Sequence, residues 1–276
     1  MAITRAHPVG PETQWQSRLR RARQFLVERG PLEVWRLVRQ HGARGCARFV
    51  GRQARYMVGD LLSRRFDRRY GVDTGGELMS DRMAVVGEHG YEKGGADFIS
   101  IPERTFFRTL KSLPMEDPSG FAFIDIGCGK GRAALLAGTR SFRRVIGVEH
   151  SPTLAEVANR NIETWRGPRH CGDVRVICAD ATVFELPPEP CVLYFNGPFD
   201  DYALLEQVLA NVTASWRARP RPIYAVYLEA VFVKLPDEVM RAAGFHRLGT
   251  PVVSRFDPGF MRWPQWYAVY EHREPT

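Results

Sequence analysis

A loop with glycine at alternate positions is the first place in this sequence where residue types and spacing indicate chemistry. In the run "FIDIGCGKGR", Asp125 is followed at two-residue intervals by three glycines, Gly127, Gly129 and Gly131. Glycine lacks a Cβ atom, so such a loop lets the backbone approach a ligand closely. An apolar run precedes the loop and a helix rich in small residues follows it, which is typical of ligand-binding loops in α/β proteins.

Three kinds of ligand are compatible with a glycine loop, and the flanking residues separate them. A triphosphate loop (GxxxxGK[ST]) and a dinucleotide loop (GxGxxG) would both need glycine at position 132, where the sequence has Arg132. A pyrophosphate would also be repelled by Asp125. The same carboxylate suits a cationic ligand with an ammonium and a sulfonium group, so the pattern favours a positively charged sulfur nucleoside.

Acidic residues also fall at the ends of the next two predicted strands. Glu149 ends "RVIGVE", where a carboxylate is expected to bind ribose hydroxyls. Asp180 and Ala181 follow "VRVIC", where an acid can accept a hydrogen bond from an adenine amino group. Because the carboxyl ends of parallel strands meet at one edge of a sheet, these residues are expected to surround a single ligand with Asp125.

An alternation of strands and helices positions these residues. Apolar, β-branched runs predict strands at 121–126, 144–149, 174–180, 191–196 and 223–229. Helices are predicted between them, near 132–140, 152–165, 201–216 and 236–243. This alternation predicts an α/β fold with a parallel sheet covered on both faces. The runs "FHRLGT" and "WYAVYEH" have no helix between them and predict an antiparallel hairpin at the sheet edge.

From about Phe121 onward the chain resembles the class I S-adenosylmethionine-dependent methyltransferases, since "FIDIGCGKG", "VIGVEHS" and "ICADA" look like their first three motifs. The resemblance implies a Rossmann-like methyltransferase fold, with a mostly parallel seven-stranded sheet whose last strand is antiparallel. It implies S-adenosyl-L-methionine as cofactor. With "FDRRYGVDTGG", the core also looks like a bacterial group of undefined substrate and, more distantly, the histone-lysine Dot1-type enzymes.

The fourth predicted strand runs into "YFNGPFDD", where amine-methylating relatives carry Asn-Pro-Pro-Tyr/Phe. The resemblance implies Asn196 as an acceptor of substrate N–H bonds and Phe199 as a stacking ring, whereas Gly197 departs from the pattern. The alternative is a strand-to-helix turn in which Phe199 caps the core. Two candidate general bases follow from position at strand ends: Glu229, and His150, which is also typical of a surface histidine.

Other residues keep two interpretations each. Lys130 and Arg132 are either solvated or neutralise Asp125 and the cofactor carboxylate. Residues 72–96 are rich in glycine and predict a loop or lid. Four aromatic residues are candidates either for stacking on a ligand or for core packing: Tyr91, Phe98, Trp263 and Trp266.

The positive charge of the chain lies in its N-terminal segment. Residues 1–70 hold sixteen arginines, no lysine and five acidic residues, against a formal net charge of +8 for all 276 residues. Amphipathic patterns predict helices across residues 13–70. The predicted domains are a basic helical extension, residues 1–71, and a methyltransferase domain, residues 72–276. The extension's arginines either bind nucleic acid, an anionic membrane or an acidic partner, or face water.

Composition limits the remaining possibilities. Apolar runs fall short of the roughly 20 residues of a membrane span, and the first thirty residues lack a secretory signal pattern, so a cytoplasmic protein is expected. The five cysteines lack CxxC spacing, so the sequence is expected to have no disulfide bonds and no structural metal site.

The predicted function is methyl transfer from S-adenosylmethionine to a nitrogen or oxygen acceptor on a small molecule or peptide. Two alternatives stay open. One is a macromolecular target, RNA or protein, docked by the basic helices. The other is a regulatory protein that binds the cofactor without catalysis.

Overall fold

A computed structural model describes residues 39, 58–75, 77–78, 98–199, 202–230, 233–254 and 265–273. The helices are α1 (residues 58–70), α2 (Glu103–Lys111), α3 (Arg132–Ala137), α4 (Pro152–Thr164), α5 (Tyr202–Ala218) and α6 (Asp237–Ala242). The strands are β1 (Glu77–Leu78), β2 (Phe98–Ile99), β3 (Ala122–Ile126), β4 (Arg144–Glu149), β5 (Val174–Cys178), β6 (Cys191–Asn196), β7 (Ile223–Ala230), β8 (Phe245–Ser254) and β9 (Gln265–His272).

The main sheet has the strand order β5-β4-β3-β6-β7-β9-β8. The first five of these strands pair in parallel, whereas β9 pairs antiparallel with both β7 and β8. The predicted seven-stranded, mostly parallel sheet with an antiparallel last strand is therefore confirmed. The predicted closing hairpin at the sheet edge is formed by β8 and β9, with β8 outermost and β9 next to β7.

The sheet is buried on both faces because its central strands are apolar throughout. Along β3, Ile124 and Ile126 belong to the cluster that packs against α5 and α6, whereas Phe123 belongs to the cluster with α2 and α3. A strand covered on both sides needs apolar residues at consecutive positions, which explains the run "FAFIDI". Asp125, one residue from the end of this strand, is the exception to the apolar pattern.

The strand order of the sheet reverses between β3 and β6. From β3 the chain moves outward through β4 to β5, and then returns to place β6 on the other side of β3. The connections after β3 and β6 consequently leave the sheet in opposite directions. In open α/β sheets, ligands bind at such a reversal point. The predicted cofactor loop follows β3, and the predicted acceptor turn follows β6.

Helix α1 belongs with the sheet. The chain divides into two compact units, Met1–Ala54 and Arg55–Thr276. Within the second unit, Phe66 of α1 is buried in the same cluster as Phe123 of β3. The other helices predicted in residues 13–57 lie outside the described residues, apart from Arg39, which is helical. Within the described part of the chain, no helix has the length and apolar character needed to cross a bilayer.

Candidate active site

The loop between β3 and α3 adopts the backbone that its glycines predict. Gly127, Gly129 and Gly131 have φ angles of +70°, +56° and +81°, the left-handed region that favours glycine. Space is also limiting at Gly127, since a Cβ atom there would lie 2.7 Å from the Cβ of Pro198. The absence of a side chain at Gly127 therefore allows the turn after β3 to contact the turn after β6.

Glu149, at the end of β4, fixes this loop from the side. Its Oε2 accepts a hydrogen bond from the backbone N–H of Gly129 at 2.7 Å, and its Oε1 accepts one from Ser151 at 2.8 Å. The side chain is buried, which raises its pKa, while these backbone bonds lower it. Each carboxylate oxygen can accept a second hydrogen bond. Glu149 is thus both a support for the loop and a potential acceptor for ligand hydroxyls.

Asp125 is buried like Glu149, and the charge of Glu149 acts on it. Its Oδ2 has no hydrogen-bond partner in the protein. Burial, followed by the charge of Glu149, raises the pKa of Asp125 to about 8, although the Ala134 N–H opposes this shift. The carboxyl group is therefore mostly neutral at pH 7 in the ligand-free chain. A cation bound near both acids would favour their charged forms.

Asp180 and Ala181 lie just beyond β5. The Oδ1 of Asp180 accepts hydrogen bonds from the N–H of Thr182 at 2.9 Å and from its Oγ1 at 2.7 Å. Ala181 is half-buried and packs beside the cluster on the α5 side of the sheet. The backbone of the preceding Ala179 donates to the carbonyl of Glu149 at 2.9 Å, which joins the ends of β4 and β5. Asp180 therefore lies on the same edge as Glu149.

The start of the predicted loop or lid, residues 72–96, is bound to the glycine loop. Residues 71–75, here called the strap, are held by Asn161 of α4. Its Oδ1 accepts from the N–H of Asp73 at 2.7 Å, and its Nδ2 donates to the carbonyls of Asp73 and Lys130 at 2.8 and 2.9 Å. Lys130 Nζ adds bonds to Asp73 Oδ1 at 3.0 Å and to the Gly75 carbonyl at 2.9 Å. Lys130 consequently joins loop and strap.

Arg132, the first residue of α3, extends this connection to α1. Its guanidinium donates to Thr74 Oγ1 at 2.7 Å and to Ser63 Oγ at 2.6 Å, and it forms an ion pair with Asp67 at 3.2 Å. It also lies 4.6 Å from the ring centroid of Phe66. The side chain is buried, so the interpretation that Arg132 is solvated is wrong. These partners are about sixty residues away in sequence, and no local pattern could have identified them.

Asn196 and Glu229, two of the predicted acceptor-site residues, lie at the ends of the adjacent strands β6 and β7. Asn196 pairs with Leu228 across these strands, and Gly197 has a φ of +56°. A Cβ atom at Gly197 would lie 3.6 and 3.7 Å from the two carboxylate oxygens of Glu229. Glu229 therefore faces the turn after β6. The departure of Gly197 from the family pattern has a structural reason, since the position has a left-handed backbone and adjoins a carboxylate.

Two aromatic residues flank this turn. Phe199 is half-buried and packs against the cluster on the α5 side, in agreement with the core-capping alternative. Tyr202, the first residue of α5, donates through its hydroxyl to the Lys234 carbonyl. Burial and then the charge of Glu229 raise the pKa of Tyr202. The carboxylate of Glu229 thus adjoins the β6 turn and is near enough to Tyr202 for its charge to be felt there.

The remaining candidates are less closely tied to the site. His150 follows Glu149 and is half-buried. Trp266 pairs with Glu229 in the β7–β9 register and packs against the core. Tyr91, Trp263 and the side chain of Phe98 lie outside the described residues. Among the described residues, no cluster of His, Cys, Asp or Glu side chains is arranged to hold a metal ion.

A comparison with family models matches residues 123–216 to a family described as "Methyltransferase domain". The matched stretch contains the glycine loop, Glu149, Asp180 and Asn196. This part of the chain is therefore similar to a methyltransferase domain. The resemblance to class I S-adenosylmethionine-dependent methyltransferases is confirmed by this match and by the strand order. A search of curated proteins finds no match.

Solved structures with a similar backbone include several methyltransferases. The N-methyltransferase NodS from Bradyrhizobium japonicum WM9 is 13% identical, with a TM-score of 0.44 over 62% of this chain and 94% of that one. The magnesium protoporphyrin IX methyltransferase ChlM from Synechocystis PCC 6803 is 11% identical, with a TM-score of 0.44 over 62% and 79%. The cyclase SpnF is 15% identical, with a TM-score of 0.46 over 62% and 81%.

Proposed function

We propose that this chain transfers a methyl group from S-adenosyl-L-methionine to a nitrogen or oxygen acceptor on a small molecule or peptide. The observation that carries the proposal is the pair of buried acids around the glycine loop. Glu149 binds the loop at Gly129, and Asp125 lies buried behind it within the influence of the Glu149 charge. Two carboxyl groups beside the glycine loop suit a cationic nucleoside, because a bound cation favours their charged forms. In those forms they would repel a pyrophosphate.

The residues present fit such a cofactor. The unpartnered Oδ2 of Asp125 is a buried polar atom that a ligand ammonium group would satisfy. Glu149 would accept from the ribose hydroxyls, and Asp180 with Ala181 would border the adenine. When bound, S-adenosylmethionine supplies an electrophilic methyl group.

The chain's own contribution is to position the acceptor and remove its proton. Asn196 and Glu229 place an amide and a carboxylate at the ends of adjacent strands, where they can accept hydrogen bonds from an acceptor N–H or O–H. Alignment of acceptor and methyl group supplies much of the rate in a transfer of this type. Glu229 would act as the general base that takes the acceptor's proton.

Calorimetry of the full chain with S-adenosylhomocysteine tests the cofactor. We expect binding in the micromolar range, on the order of −8 kcal/mol. Glu149→Ala should weaken it at least about tenfold, because the ribose loses a charged acceptor. Glu156→Ala, an exposed acid on α4, is the matched control and should leave binding unchanged. Binding of NAD in place of S-adenosylhomocysteine would contradict the proposal.

A transfer assay tests catalysis separately. The full chain is incubated with cofactor labelled in its methyl group and with fractionated lysate, including small-molecule and peptide pools. Glu229→Gln should lower the transfer rate while leaving the affinity for S-adenosylhomocysteine unchanged. Cofactor binding without transfer to any fraction would instead indicate a non-catalytic binding protein, and label confined to RNA would indicate a macromolecular target.

A further inference from the structure

Helix α1 has an outward face with large apolar side chains. Val58, Leu61 and Leu62 are 43%, 61% and 40% exposed. They lie at i, i+3 and i+4, which places them on one side of the helix. Single exposed apolar residues are normal on a protein surface, but three large ones on two helical turns form a patch that indicates a binding function.

The other side of α1 is firmly attached to the domain. Phe66 and Tyr70 lie 5.9 and 4.4 Å from Trp165 between ring centroids, and Ser63 is buried against Arg132. The helix therefore has an apolar face that is already buried, and the outward patch is additional to it. Its orientation is fixed by the packing of the opposite face.

The outward face is also positively charged. Arg65, Arg68 and Arg69 are exposed and continue the side of α1 that Leu61 and Leu62 begin. The two acids of the helix do not offset them. Asp60 pairs with Arg64 at 2.8 Å, and Asp67 is bound by the buried Arg132.

The charge restricts what can cover this face. Residues 1–57 contain twelve arginines and three acidic residues, so the preceding segment cannot neutralise it. A second copy of the chain would bring the same arginines against one another. Nucleic acid would pair with the arginines, but it would leave the aliphatic side chains without a partner. An anionic lipid surface accommodates both, with aliphatic groups at the acyl boundary and arginines at the headgroups.

We propose that the outward face of α1, formed by Val58, Leu61, Leu62, Arg65, Arg68 and Arg69, docks the protein on an anionic lipid surface. The helix leads directly into the strap over the glycine loop. On the basis of the function proposed above, docking would bring the methyltransferase domain to a surface where lipid-bound acceptors reside.

Co-sedimentation of the full chain with lipid vesicles tests this proposal. We expect binding to vesicles of phosphatidylcholine with phosphatidylglycerol, weakening with salt, and little binding to phosphatidylcholine alone. The pair Leu61→Ser with Leu62→Ser, and separately Arg65→Glu with Arg68→Glu, should each lower partitioning about tenfold or more. Matched controls are Val183→Ser and Arg160→Glu, which change an exposed valine and an exposed arginine elsewhere.

Three results would overturn the proposal. Equal partitioning of the wild-type chain and both α1 variants would place any lipid affinity elsewhere. Loss of binding to a single-stranded RNA oligonucleotide in the arginine variant, with vesicle binding unchanged, would indicate nucleic acid. A change of oligomeric mass or a clear drop in Tm in the leucine variant would show that protein already covers this face.

Discussion

The side-chain amide of Asn161 binds both backbone polar groups of Asp73, and the same amide also binds the carbonyl of Lys130. Asn161 and Asp73 are 88 residues apart in sequence. A single buried side chain on α4 therefore joins the strap to the glycine loop. Since the loop carries the predicted cofactor contacts, its conformation depends on a residue that would not contact the cofactor.

Asn161→Ala should destabilise the protein and weaken cofactor binding together. The change removes three hydrogen bonds from a buried position, and we expect a loss of about 2 to 3 kcal/mol in the free energy of unfolding. Urea denaturation and calorimetry with S-adenosylhomocysteine measure the two effects. Asn161→Asp keeps only the acceptor for the Asp73 N–H and should also be impaired.

Asn159→Ala is the matched control, because this exposed asparagine on the same helix makes two longer bonds, of 3.2 Å, to Val176. It should cost less than about 1 kcal/mol and leave cofactor affinity unchanged. Equal stability losses for the two alanine variants would contradict the role given to Asn161.

Arg132→Met should be more damaging than the loss of an ordinary surface arginine. It leaves Asp67 largely buried without its cation, a change that typically costs about 3 to 5 kcal/mol. Arg160→Met, which breaks an exposed pair with Glu156, should cost about 0.5 kcal/mol or less. Thermal unfolding of both variants and of Arg132→Met with Asp67→Asn measures the difference. If Asp67→Asn fails to recover any stability in the Arg132→Met background, an unpaired Asp67 is not the cause.

The sequence predicted the sheet well, because strands and turns depend on short-range patterns. Apolar runs define β3 to β7, and the glycine spacing defines the turn into α3. The composition of residues 72–96 predicted a loop or lid, but the contacts of the strap could not be predicted in this way. Its ties to Asn161 and Arg132 join residues far apart in sequence, and a polar side chain that binds distant backbone leaves no periodic signal. The packing of arginine-rich α1 could not be predicted for the same reason, since its buried partners lie in other elements.

Gly127→Ala tests the contact between the two turns. The left-handed backbone should cost about 1 to 2 kcal/mol, and the new Cβ would also collide with Pro198. Adding Pro198→Gly removes the atom in the way, so the double variant should recover the steric part of the loss and retain the backbone part. Chemical denaturation gives both values.

Gly120→Ala is the control for this pair, since a Cβ there meets no atom within 4 Å. It should change the free energy of unfolding by less than about 0.5 kcal/mol. If Gly127→Ala were equally mild, the glycine at this position would not be required by the fold.

Asp125 should make the ligand-free protein less stable as the pH rises through the neutral range. Its pKa is raised to about 8 in the folded chain from the ordinary 3.8, so between these values the folded state binds a proton that the unfolded state has released. The stabilisation is complete below about pH 4 and is lost progressively up to about pH 8, with a slope of at most about 1.4 kcal/mol per pH unit. Asp125→Asn mimics the neutral acid, so its free energy of unfolding should depend less on pH between about pH 5 and pH 8 in urea denaturation.

A cationic cofactor favours the charged form of Asp125, so binding at pH 7 should release a proton. Calorimetry detects this release as a dependence of the binding heat on the ionisation enthalpy of the buffer. Two results together would contradict this prediction: the same pH dependence of the free energy of unfolding in the wild-type chain and Asp125→Asn, and no proton released on binding. They would show that Asp125 does not titrate in this range and that the cofactor's charge does not change its protonation.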